Sequence, residues 1–213
     1  MMSTTDPAAA APGARAPWVL PGEPLAVRLI NTIWTDGTVV HDALETPADL
    51  QAWLRDAGLV DHPVDSRDLS EARLLRDALR TLAVFATHDE RSGAATDMDE
   101  QEAAAIVERA MRAAPVTERL VLTPTGIVTE AVADAPPVVT ALAAVARDGV
   151  AVLTDQARPL LPCHEPCVLF FVRDHPRRKW CTPGHSNRDR AARHYERSKS
   201  RPDGGAVSPP REG

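Results

Sequence analysis

Residues 163–199 read CHEPCVLFFVRDHPRRKWCTPGHSNRDRAARHYERSK and hold all three cysteines of the chain. Cys163 and Cys167 form one close pair. Cys181 and His185 form a second, with thirteen residues between Cys167 and Cys181. Two close ligand pairs separated by a short strand–turn–strand segment bring four side chains tetrahedrally onto zinc. Three thiolates and one neutral imidazole make an ordinary structural zinc set. Residues 168–172 are an apolar, β-type run, and Trp180 can cover the site. Three other histidines compete for the fourth position. His164 abuts Cys163, His175 sits in the turn beside Pro176, and His194 lies more than two helical turns beyond Cys181, so the spacing favours His185. Four donors leave no open coordination position, so the expected Zn²⁺ is structural rather than catalytic. A segment of ~40 residues seldom folds without such a staple.

Charge separates this stretch from the rest of the chain. Between Pro159 and Arg201 stand ten basic residues and four acidic ones, although the net charge of the whole chain is −6. An acidic body therefore carries a basic C-terminal module, an asymmetry that suggests a polyanionic partner. After His185, Ser186 reads as a helix cap with Asp189 three residues on, in capping-box spacing. On the predicted helix Arg190, Arg193 and Arg197 fall along one face. Asn187 and Arg188 occupy its first turn, and Arg177, Arg178 and Lys179 fill the basic turn before Cys181. Arginine binds phosphate or guanine bidentately, and asparagine does the same with adenine.

The remaining 18–158 reads as helical. Aromatic residues make up only 4% of the 213-residue chain, so the core is built from Ala, Leu and Val, which favours helices over a β-sandwich. PLAVRLINTIW places Leu25, Leu29, Ile30, Ile33 and Trp34 at helical spacing. In TPADLQAWLRDAG, Thr46 caps, Pro47 takes the first position, and Gly58 terminates. Further helices are expected over about 68–88, 98–114 and 137–153. Two alternating β-branched runs flank Thr-Pro-Thr-Gly in TERLVLTPTGIVTEAV, a hairpin signal. Residues 1–17 and 200–213 read as disordered tails. The fold class is thus mainly α with a small β-hairpin: a helical N-terminal domain (18–158), then a zinc-stapled hairpin-plus-helix module (159–199). No uninterrupted apolar run approaches ~20 residues, which argues against a membrane-spanning helix. The N-terminus lacks the basic start and apolar stretch of a secretion signal.

The C-terminal pattern resembles the CGNR zinc finger family of bacterial transcription regulators. The matching features are Cys163, Cys167, the run VLFFVRD, then PRRKWC to Cys181, and Asn187-Arg188 followed by ARHYERSK. His185-Ser186 stands where that family has Cys-Gly. The stretch PLAVRLINTIWTDGTVVHDALETPADLQAWLRDAGL is similar to the stress-induced regulatory domain that usually precedes this finger. Together the resemblances span about residues 18–199. They imply a cytoplasmic regulator that binds double-stranded DNA, with an N-terminal domain sensing a small-molecule effector. Asn31, Trp34, Asp42 and Trp53 are the candidate effector contacts. A homodimer is expected because one small finger offers limited DNA contact.

The residues also admit a zinc-ribbon adaptor docking on an acidic partner, and a thiol redox switch. No nucleotide loop, Ser-His-Asp set or zinc-protease motif is found, so no enzymatic activity is expected.

Overall fold

The computed structural model describes residues 18–91, 93–94, 96–164, 167–187 and 190–191. Both predicted tails, 1–17 and 200–213, lie outside the described residues. Helix α1 (Leu25–Ile30) opens the body and ends at Asn31. The sequence predicts this helix through Trp34. Instead β1 (Ile33–Thr35) turns back and pairs antiparallel with β2 (Val40–Asp42). β-branched Thr32, Ile33 and Thr35 favour that extended course. The turn is held by Asp36, whose Oδ1 accepts from Thr38 N and Val39 N at 2.8 and 3.0 Å.

The next helices follow their caps. α2 (Pro47–Asp56) begins in a reciprocal Thr46–Asp49 capping box, and α3 (Ser66–Thr87) in an Asp65–Asp68 box. The Asp99 side chain caps α4 (Glu100–Ala113). Strands β3 (Val116–Thr123) and β4 (Gly126–Ala133) make the expected hairpin, with Thr123 paired to Gly126 across a two-residue turn. α5 (Pro137–Thr154), with Pro137 in its first turn, completes the helical set.

α3 is the central helix, packed by α1, α2, α4 and α5. Its Leu69, Ala72, Leu75, Ala78, Leu79 and Ala83 are buried. Small residues set the spacing. Gly149 of α5 faces Leu79 so closely that a Cβ there would stand 2.4 Å from Leu79 Cδ2. The glycine that weakens α5 by propensity is what lets α5 and α3 approach. α5 is also long and apolar enough to pass as a weak membrane-span candidate. Val138, Ala141, Leu142, Val145 and Ala146 instead lie in the core of the body. Asp148 accepts from Ala26 N at 2.8 Å and Arg147 donates to Ala114 O at 3.1 Å, which ties both charges of the helix into the fold.

The last strands are β5 (Leu160–Pro162) and β6 (Phe170–Val172), paired antiparallel. The sequence predicts β6 to pair with a strand after the basic turn. Its partner lies instead before the first cysteine, and Cys163 N and Arg173 N extend the ladder to Leu169 O and Pro159 O. Alternation along this run divides two apolar clusters. Phe170 and Val172 join the helical core, whereas Leu169 and Phe171 join Leu20 and the three cysteines. Because β5 and β6 complete the core of the body, one compact unit runs through Cys181, and a second begins at Thr182. The described architecture is therefore helices with three two-stranded antiparallel pairs.

Candidate metal centre

The β5–β6 connection carries Cys163 and Cys167, and the basic loop after β6 returns the chain to them at Cys181. All three cysteines are buried. Cys167 Sγ and Cys181 Sγ are 3.8 Å apart, and Cys181 N donates to Cys163 Sγ at 3.4 Å. The ligand atoms of Cys163, Cys167, Cys181 and His185 all lie within 4.8 Å of one another, and each residue is buried. His164 is exposed, its ring tilted against Trp180 at 6.3 Å. His175 is exposed and its Nδ1 accepts from Arg177 N. His194 lies outside the described residues.

The donor chemistry suits a metal ion. Hydrogen bonding among the thiols, reinforced by burial, pushes the Cys181 thiol far above its ordinary range. Three thiolates this close and this dry do not coexist without a cation to balance them. A bound divalent ion removes that penalty and takes the protons' place.

Neighbouring side chains fix the strand that carries the cluster. Asn31 is fully buried at the end of α1. Its Nδ2 donates to Phe170 O and its Oδ1 accepts from Phe170 N, both at 2.9 Å. One amide side chain thus replaces a strand neighbour for β6. Glu23 Oε2 accepts from Val172 N at 2.9 Å, and Oε1 accepts from Arg178 Nη2 at 2.6 Å. Burial raises the Glu23 carboxyl above its usual value even so. Arg178 also lies over the Phe171 ring, 4.7 Å from its centre. Val168 takes a left-handed φ of 52°, uncommon for a β-branched residue. Its carbonyl accepts from Arg80 Nη2 at 3.0 Å. Arg91 donates to Cys163 O at 2.9 Å.

The candidate effector residues do not converge on one pocket. Asn31 is committed to β6. Trp34 stacks on His41 with ring centres 4.2 Å apart, and Asp42 accepts from Arg76 at 2.6 Å. Trp53 is a core residue that also lines a cleft of about 600 Å³ with Trp18, Arg28, Asp49 and Asp56.

Of the candidate DNA contacts, Arg177 and Lys179 are exposed, whereas Arg178 is turned inward to Glu23. In the second unit, helical structure begins at 183 rather than after Ser186. Thr182 caps it: His185 N donates to Thr182 Oγ1 and Ser186 N to Thr182 O, both at 3.3 Å. Pro183 takes the first helical position, the Thr-Pro arrangement that also starts α2. Asn187 and Arg190 are exposed, and Arg190 Nη2 reaches Asn187 Oδ1 at 3.2 Å. Arg188, Arg193 and Arg197 lie outside the described residues.

The helical body is thus followed by a buried thiol–imidazole cluster compatible with a metal site. Residues 23–156 match the ABATE family, described as "Putative stress-induced transcription regulator". The match covers more than half of the chain, which belongs to this family. No curated protein matches it.

Proposed function

We propose that the protein is a cytoplasmic, DNA-binding transcription regulator stapled by one structural zinc ion on Cys163, Cys167, Cys181 and His185. The observation that carries this reading is the joining, in one chain, of a transcription-regulator family domain to a buried Cys₃His donor set. Zinc bound there supplies a rigid tie and no reaction, because the protein fills all four positions. It fixes the loop from Arg173 to Cys181 against the β5–β6 turn. Exposed Arg177 and Lys179 on that loop, with Asn187 and Arg190 beyond it, are the proposed contacts to double-stranded DNA. Arg188, Arg193 and Arg197 continue the basic series in sequence. The body would sense a small-molecule effector. Cavities of about 460 Å³ and 600 Å³ are of a size that takes one.

The internal pairing of Arg178 separates this reading from mere positive charge. The Arg177→Ala/Lys179→Ala double variant is expected to keep its thermal stability. Its log affinity for a duplex should fall less steeply with log salt, by roughly one slope unit for each phosphate contact removed. Arg178→Ala is expected to cost about 2–3 kcal/mol of stability by leaving the Glu23 carboxylate buried and unpaired. Fluorescence anisotropy across a salt series, with thermal melts of all variants, measures both. An unchanged slope in the double variant contradicts the assignment of Arg177 and Lys179.

A further inference from the structure

The densest group of exposed large apolar side chains among the described residues stands on the β3–β4 hairpin. Val116 is 45% exposed, Ile127 67%, Leu120 71% and Leu122 80%. Side-chain alternation and the strand register put all four on one face. There Val116 stands opposite Ala133, Leu120 opposite Thr129, and Leu122 opposite Ile127. The single charge on that face is Glu118, towards the hairpin base. The opposite face carries the Arg119–Glu130 ion pair at 2.7 Å. Among the described residues only β3 and β4 form this sheet, and no third strand pairs with either edge there. A two-stranded sheet with an uncovered apolar face is marginal in water, and such a face marks an association surface.

What covers it can be narrowed by composition. The chain's own segments outside the description do not supply a matching strip. Residues 1–17 hold Met1 and Met2 as their only large apolar side chains, and residues 192–213 hold only Tyr195 and Val207. Nucleic acid does not suit a face that carries no cation and whose one charge is a carboxylate. A second copy does, because apolar against apolar is self-complementary, as a two-fold contact demands.

We propose that the β3–β4 hairpin is a self-association arm, its apolar face stacking on the same face of a second copy. Eight residues at about 3.4 Å each and two strands about 4.8 Å apart give a flat footprint of roughly 260 Å². That falls well below the ~800 Å² per partner of a standard stable interface. An arm of this size gives a weak, reversible dimer rather than a permanent one.

Sedimentation equilibrium of the full-length, zinc-loaded protein, from about 1 to 200 μM, tests this range of strength. The expected mass rises with concentration from 22.9 kDa towards twice that value. The Leu122→Lys/Ile127→Glu variant replaces a cross-strand apolar pair by an opposite-charge pair, which preserves the hairpin. It should self-associate more than about tenfold more weakly, with an unchanged thermal midpoint. Leu120→Thr keeps a strand-forming residue and should shift association in the same direction. A parent protein that stays monomeric throughout overturns the proposal, because something other than a second copy then covers the face. Variants that associate as strongly as the parent overturn it equally, because the dimer then uses another surface.

Discussion

Cys181→Ser, or removal of the metal by a chelator, is expected to loosen the region around β6 while most of the helical signal survives. Structural zinc contributes about 10–16 kcal/mol of binding free energy in small sites. Losing one ligand of four should cost roughly a quarter of this, about 2.5–4 kcal/mol, or on the order of a hundred- to a thousandfold in zinc affinity. The effect is local because of how the alternation along β6 falls. Cys163, Cys167 and Cys181 share their apolar cluster with Leu20, Leu169 and Phe171, whereas the helices share theirs with Phe170 and Val172. Metal content by elemental analysis, with hydrogen exchange at residues 169–172, reads the outcome. Tight zinc binding and full protection in Cys181→Ser would remove this cysteine from the ligand set.

The second large effect is expected at a residue far from the cysteines in sequence. Arg80 of α3 is 1% exposed. Its guanidinium donates to Ile30 O, Ala94 O and Val168 O, each at 3.0 Å, and to Gly93 O at 3.4 Å. One side chain therefore satisfies carbonyls from the end of α1, the α3–α4 connection and the strained residue before β6. It also lies over the Phe170 ring at 5.5 Å. Burial lowers its pKa to about 10, still far above neutrality, so it stays charged. Arg80→Met retains bulk but removes the donors and leaves the carbonyls dry. The expected cost is about 3–5 kcal/mol, as for breaking a buried polar network from one side. For a chain of this size, that lowers the melting midpoint by roughly 10 °C. A shift of under a few degrees would show that water or local rearrangement replaces the guanidinium.

Arg80 also marks the limit of what the sequence made legible. On a periodicity reading it belongs to the polar side of α3, opposite Leu75, Leu79 and Leu82. Nothing local shows that the chain folds three backbone segments over it. Asn31 is similar: its role as a surrogate strand depends on Phe170, 139 residues away. Features decided within a few residues were readable. The Thr46 cap, Pro47, the Gly58 stop and the Thr-Pro-Thr-Gly hairpin turn all depend on neighbouring backbone alone. The Thr182–Pro183 start uses that same local chemistry, but on sequence Ser186 competes with it because Ser186 sits in capping-box spacing with Asp189. The helical stripe of α1 runs past its true end because Ile33 and Trp34 fit a helix as well as a half-buried strand. The cysteine spacing brought the thiols to one place, but Leu160–Pro162 is too short to announce itself as the partner of β6.

Sequence-specific DNA binding by the zinc-loaded protein, the proposed function, is measured by selecting fragments of the source genome with the purified protein at physiological salt, where non-specific phosphate binding is weak. The expected result is recovery of a small set of fragments sharing a common site, and loss of that enrichment after chelation. Uniform recovery of all fragments, or the same enrichment from metal-free protein, would contradict it.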